Sequence, residues 1–184
     1  MNERFTEPLP PGYTALALER GTAVVLGTLA EPLAAALHGG SFYEYAASHP
    51  AARTLRGRGV AYAVPLPDGV TRVVVRRSRH GGLFAPITGD RFLGRTRAPH
   101  ELEVALRLMH AGVATPQLLA YAIHPAGLFT ARADVITREV PDSADLVATL
   151  VSRASGSPPR SILRAVAELL AALTRTGARH PDLN

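Results

Sequence analysis

An α+β fold is what this sequence predicts, a sheet-rich lobe followed by a helical one. Three patterns carry that reading. Short β-type runs separated by turn residues dominate the first 140 positions. One amphipathic stretch with clear helix start and stop signals interrupts them. The remainder is helical in period.

The elements follow in order. "PLPPGY" at 8–13 is a stiff lead-in, and residues 13–26 hold two β-type runs around Arg20-Gly21. Thr28 followed by Glu31 fits a capping box for "LAEPLAAALHGG", with Pro32 in the first turn and Gly39-Gly40 as the stop. Ser41 and Glu44 repeat the box for "FYEYAASH". Three strand-like pieces come next, broken at Gly57-Arg58-Gly59 and at the turn Pro67-Asp68-Gly69. A loop passes through Gly81-Gly82. "APHELEVALRLMHAG" is a helix with Pro99 in its first turn and Gly112 as its C-terminal cap. Two strands then turn at Pro125-Ala126-Gly127. Ser143 is placed to cap "ADLVATLVSRA". The last helix starts at Ser157-Pro158 and ends at Gly177, with an apolar stripe of Ile162, Val166, Leu169, Leu170 and Leu173.

Composition narrows the function. The 184 residues suit one domain, or one and part of another, and 47% of them are hydrophobic, enough for a real core. No apolar run reaches the ~18 residues that span a bilayer, and the N-terminus has no signal-peptide core. Without cysteine, disulfides and thiolate metal sites are excluded, and the expected location is the cytoplasm. The net charge is +5, and every basic residue apart from histidine is an arginine, the side chain that grips phosphate and carboxylate with a planar fork. A nucleic-acid partner is not expected, because no basic stripe is interleaved with aromatics. An anionic membrane surface remains open as a partner.

Several residues have chemistry to offer. Gly57 and Gly59, flanking Arg58, lie between two strands, so they do not form a dinucleotide fingerprint, which needs a helix to follow. They form either an ordinary hairpin turn or a loop lying over a nucleotide's phosphates. On "TRVVVRR", alternation sends Arg76 and Arg77 to opposite faces, so one can enter a cleft. Glu101 and Glu103 are either dipole partners at a helix N-terminus or a carboxylate orienting the strand arginine through a bidentate pair. In the closing H-P-D-L-N, Asp182 can accept a hydroxyl proton in phosphoryl transfer, and His180 is better suited to anchoring the loop. The order of these parts matches that of a protein-kinase-type phosphotransferase.

"GRGVAY", "VVVRRSRHGGLF", "RAPHELEVALRLMHAGVATP", "DVITREVP" and "GARHPDLN" together resemble the lipopolysaccharide kinases, in particular the 3-deoxy-D-manno-octulosonic acid (Kdo) kinases. The resemblance runs from about residue 43 to 184. Its most specific strings are R-x-x-x-x-G-G-L at 76–83, G-V-x-x-P at 112–116, I-T-x-x-x-P at 136–141 and the final H-x-D-L-N. It implies a protein-kinase-like fold: an extension over 1–42, a β-rich N-lobe over 43–141 and the first helices of an incomplete helical C-lobe over 142–184. It implies ATP as cofactor with Mg2+, and phosphorylation of a hydroxyl on the Kdo of a lipid A precursor, an anionic sugar-lipid. That work would be done at the cytoplasmic face of the inner membrane. Gly57, Arg58 and Gly59 would form the phosphate loop, Arg76 the basic strand position and Glu101 its helix partner. Backbone groups around Arg138, Glu139 and Val140 would meet the adenine, Asp182 would be the catalytic Asp and His180 the loop anchor. The family's magnesium ligands are expected beyond position 184, so the chain as written is expected to be an inactive fragment of a longer product. A nucleotide-binding remnant, or a kinase-fold enzyme for another small sugar or an antibiotic, are the alternatives.

Overall fold

The structure, a computed structural model, describes residues 8–57, 59–78, 90, 92–93, 96–152 and 160–178. In chain order these form β1 (Tyr13–Ala17), β2 (Thr22–Leu26), α1 (Ala30–Leu37), α2 (Phe42–Ser48), β3 (Arg53–Arg56), β4 (Val60–Pro65), β5 (Arg72–Arg77), β6 (Phe92–Leu93), α3 (Ala98–His110), β7 (Leu118–Pro125), β8 (Thr130–Arg138), α4 (Leu146–Ser152) and α5 (Arg160–Arg175). The strands make one antiparallel sheet in the order β1-β2-β7-β8-β5-β4-β3, with the short β6 on β8.

Both faces of this sheet are covered. Val64, Val73, Val75, Ala120, Ala122 and Ile136 point to one side and meet Leu33, Ala36 and Leu37 of α1 and Phe42 and Ala46 of α2. Val24, Tyr121, Ala133 and Val135 point to the other side and meet Ala98 and Leu102 of α3. The result is three layers, with α3 alone on one side of the sheet. The β1–β2 hairpin extends the sheet beyond β7. At its turn Gly21 has φ +117°, and a Cβ there would lie 2.1 Å from the Ile123 carbonyl oxygen, so only glycine allows the hairpin to close on β7.

Local signals explain most boundaries. Ser41 and Glu44 form the expected capping box, with the Glu44 N–H donating to the Ser41 hydroxyl and the Ser41 N–H to the Glu44 carboxylate. Asp68 closes the β4–β5 turn by accepting from the Val70 and Thr71 N–H groups and the Thr71 hydroxyl, while Gly69 takes φ +70°. Gly112, at φ +70°, ends α3; its N–H bonds to Met109 and that of Val113 reaches back to Leu108.

Two expected caps are corrected. Thr28 makes no box with Glu31: Gly27–Leu29 tighten into a 3-10 turn, and α1 starts at Ala30 without a side-chain cap. Ser143 does not cap the helix after residue 142, because that helix starts at Leu146 and the Ala148 N–H bonds instead to the Asp145 carboxylate, at 2.7 Å. The β6 strand was not anticipated; two residues are too few to show a period.

Leu33 tests whether α1 is integral to the fold. It is fully buried, so Leu33→Ala should cost about 2–5 kcal/mol in urea unfolding. A cost well under 1 kcal/mol would mean that α1 is only laid against the sheet.

Candidate functional site

Alternation along β5 decides what faces α3. Val73 and Val75 are buried beneath α1 and α2, which sends Arg72, Val74 and Arg76 to the opposite side. On that side α3 buries Ala98 and Leu102 and turns Glu101 toward β5. The Arg76 Nη2 donates to Glu101 Oε2 at 2.6 Å, and the Ser78 hydroxyl donates to Oε1 at 3.1 Å. So the structure brings Arg76 and Glu101 together, with one arginine nitrogen rather than a bidentate fork; Ser78, which the sequence reading passed over, takes the second oxygen. Glu103 instead lies near His100 and Arg107 on the exposed side of the helix.

Cross-strand register shows what surrounds Arg76. Residues directly opposite one another share a face. Ala61 is opposite both Leu55 and Arg76, Ala63 is opposite both Arg53 and Val74, and Val74 is opposite Thr137. Leu55, Ala61, Ala63, Val74 and Thr137 therefore make a mostly apolar patch next to the arginine. These residues were missed individually; the signal that finds them is their parity with Arg76.

The far end of this face is closed by Glu139. Its carboxylate accepts from Arg53 Nη2 at 2.7 Å and from Arg72 Nε at 2.6 Å. Its N–H donates to the Arg72 carbonyl, and the Arg138 N–H donates to Gln117. Of the three residues expected to meet an adenine, Arg138 and Glu139 thus have their N–H groups committed to the sheet. Val140 is half exposed, and no described residue accepts its N–H. Burial works against the charged Glu139, but the hydrogen bonds from Arg72 and Arg53 outweigh it and hold the carboxyl below its ordinary range.

A concavity of about 660 Å³ adjoins this end, between the β4–β5 turn and residues 138–143, lined by Arg53, Arg72, Glu139 and Val140 among others. Gly57 and Gly59 lie between β3 and β4, with the Gly57 N–H bonded to the Gly59 carbonyl. A Cβ on Gly57 would meet nothing within 4 Å, so packing does not require a glycine there. Arg58, His180 and Asp182 lie outside the described residues.

A second concavity, of about 600 Å³, lies on the opposite face between the β1–β2 hairpin, the α1–α2 junction and the ends of β5, β7 and β8. It contains Asp134, only 1% exposed, whose carboxylate accepts the Tyr43 N–H at the start of α2. Burial raises the Asp134 pKa, and the Tyr43 N–H, His124 and Arg77 pull the other way. Arg77 lies over the Tyr43 ring and reaches Asp90, as does Arg132. Arg77 and Arg132 are thus turned to Asp90, and the Asp134–Tyr43 bond makes this a docking joint for α2. Among the described residues, no group of three His, Asp or Glu side chains could hold a metal, and no helix is long and apolar enough to cross a membrane.

The Arg76–Glu101 pair is the one side-chain contact between expected site residues that the described residues show. A family model described as "Lipopolysaccharide kinase (Kdo/WaaP) family" matches residues 47–184. The chain belongs to this family. Three relatives bear the name 3-deoxy-D-manno-octulosonic acid kinase. That of Vibrio parahaemolyticus is 30% identical over 132 residues, 70% of this chain and 53% of the relative. That of Actinobacillus succinogenes is 31% identical over 137 residues, 71% and 55% respectively. That of Xanthomonas oryzae pv. oryzae is 32% identical over 132 residues, 70% and 50%. The chain of this lipopolysaccharide kinase family member thus spans about half the length of the curated relatives it matches. No solved structure matches it significantly.

The depressed Glu139 pKa sets a sign for pH dependence. Its stabilising contribution is fully present above the ordinary glutamate value of 4.5 and is lost as pH falls through the lower folded value. In urea unfolding, the gap between wild type and Glu139→Gln should be widest near neutral pH and close in acid. A gap that stays constant with pH would contradict the paired-carboxylate reading.

Proposed function

We propose that this chain forms the nucleotide-binding part of an ATP-dependent phosphotransferase that phosphorylates a hydroxyl of Kdo on a lipid A precursor, in lipopolysaccharide core biosynthesis. The carrying observation is the Arg76–Glu101 pair beside the patch of Leu55, Ala61, Ala63, Val74 and Thr137. Family membership and the relatives' names supply the reaction class and the acceptor.

The roles divide by chemistry. The apolar patch suits the faces of a purine, and the Val140 N–H, which no described residue accepts, is a donor for its edge. Ser78 holds Glu101 and Glu101 holds Arg76, so the remaining guanidinium N–H groups can meet phosphate oxygens with little rearrangement. Gly57 and Gly59 would let backbone approach the phosphates; the open space beside Gly57 supports this. In this reading His180 anchors the final loop and Asp182 takes the acceptor's hydroxyl proton. Bound magnesium would neutralise charge on the transferred phosphoryl. Among the described residues, no group of three His, Asp or Glu side chains is placed to hold it. The arginine-rich lobe, with Arg53, Arg56 and Arg72 exposed, suits attraction of an anionic, membrane-held acceptor at the cytoplasmic face of the inner membrane.

Two measurements test the proposal. The 184-residue chain should bind an ATP analogue, and Arg76→Ala should weaken that binding by at least tenfold, the effect of removing one partner of a hydrogen-bonded charge pair (about 2–5 kcal/mol). The protein should phosphorylate Kdo-lipid A precursor with ATP and magnesium. Analogue binding that ignores Arg76, or preferred phosphorylation of an aminoglycoside or free sugar, would overturn the assignment.

A further inference from the structure

The strongest unassigned arrangement is the carboxylate of Glu139 between two arginines. We infer that Glu139 is a positioning residue: its side chain clamps the edge strand β3 and the inner strand β5 to the segment after β8, and so sets the height of the nucleotide patch above the Val140 N–H. This rests on the nucleotide-binding reading and assigns the Glu139 side chain a task separate from the backbone contacts expected of residues 138–140.

The geometry points there for three reasons. First, β3 is the last strand of the sheet and is hydrogen-bonded only to β4. It carries Leu55 of the patch and leads directly into Gly57, yet its Leu55 is only partly buried. An edge strand held by one ladder is the part of a sheet that lifts most easily. Second, Arg53 reaches past β4 and β5 to a glutamate 86 residues away in sequence, and Arg72 of β5 takes the other oxygen of the same carboxylate. One side chain thereby ties β3, β5 and the end of β8 together. Third, the Glu139 N–H is bonded to the Arg72 carbonyl, so backbone and side chain of one residue are anchored at once, and the next N–H in the chain is that of Val140.

The arrangement is also asymmetric in exposure. The Glu139 side chain is 10% exposed, while Arg53 and Arg72 are 59% and 51% exposed. Surface ion pairs of long, hydrated side chains contribute little to stability. A carboxylate held by two short hydrogen bonds fixes a shape. Its loss should register chiefly in ligand affinity, with a smaller, pH-dependent effect on global unfolding.

The test is a double-mutant cycle on Arg53→Met and Glu139→Gln in the 184-residue chain. It is read by equilibrium binding of two probes, a non-hydrolysable ATP analogue and adenosine. Glu139→Gln should weaken both probes by a similar factor, roughly 2- to 30-fold. The double variant should bind no worse than Glu139→Gln alone, since the clamp is already open. Loss of ATP-analogue binding with adenosine unaffected would overturn the inference, because the glutamate would then act on the phosphate end. So would additive losses, or unchanged binding of both probes in Glu139→Gln. If the wild-type chain binds neither probe, the nucleotide reading itself fails and the inference falls with it; the wild-type control separates the two failures.

Discussion

Successive side chains of β5 leave the strand on opposite faces, and because β5 lies inside the sheet, both faces need a partner. Val73 and Val75 find theirs in α1 and α2. Arg72, Val74 and Arg76 face the other way, and the two arginines find acidic partners at the ends of that face, Glu139 at one and Glu101 at the other. A shift of one residue in the register of β5 would put arginines against Phe42 and Leu33 and valines against Glu101, at a cost of several kcal/mol for each unpaired buried charge. The same pleat thus selects against every slip by an odd number of residues and builds the candidate site.

The helix cover on the far side has its own electrostatic joint. Asp134 is taken out of water to receive the Tyr43 N–H, and desolvation raises its pKa accordingly. Arg77 stands nearby because β5 and β8 pair Arg77 with Asp134 directly across. A buried carboxylate left alone would be worse than an apolar residue of the same size; with a helix N–H and a stacked guanidinium it specifies where α2 must sit. Arg76 and Arg77, adjacent in sequence, therefore serve opposite layers.

Local signals were largely readable from the residues. The Ser41 box, the Asp68 turn and the Gly112 cap depend on neighbours within a few positions, so chain order contains the whole interaction. Strand alternation showed that one of Arg76 and Arg77 must face α3, but the choice of Arg76 and Glu101 came from the resemblance. The partners of Glu139 were not readable. Arg53 and Arg72 lie 86 and 67 positions away, and only the order of strands in the sheet brings them to one carboxylate. Failure at Thr28 has a different cause. The box pattern was present, but a 3-10 turn at 27–29 used up the residues meant to cap. The role of residues 13–38 was hidden because a hairpin's edge partner, here β7, is set by tertiary contacts.

The last helix separates pattern from partner. Its stripe of Ile162, Val166, Leu169, Leu170 and Leu173 has the spacing of a core-facing helix, and its end is closed by Gly177 at φ +67° with the Ala178 N–H reaching Leu173. Yet no residue of α5 is fully buried among those described, and Leu163, Leu169 and Leu170 are exposed. A helix of 16 residues is marginal in water on propensity alone, and the exposed Arg164–Glu168 pair adds at most about 0.5 kcal/mol. Burial of the stripe is the only term large enough to make α5 stable, since each leucine covered contributes about 1.5–3 kcal/mol. The sheet with α1, α2 and α3 already has its apolar faces matched. In this chain, then, stability of the patch beside Arg76 is carried by the three-layer unit, and stability of α5 is a separate quantity decided by what its stripe is packed against.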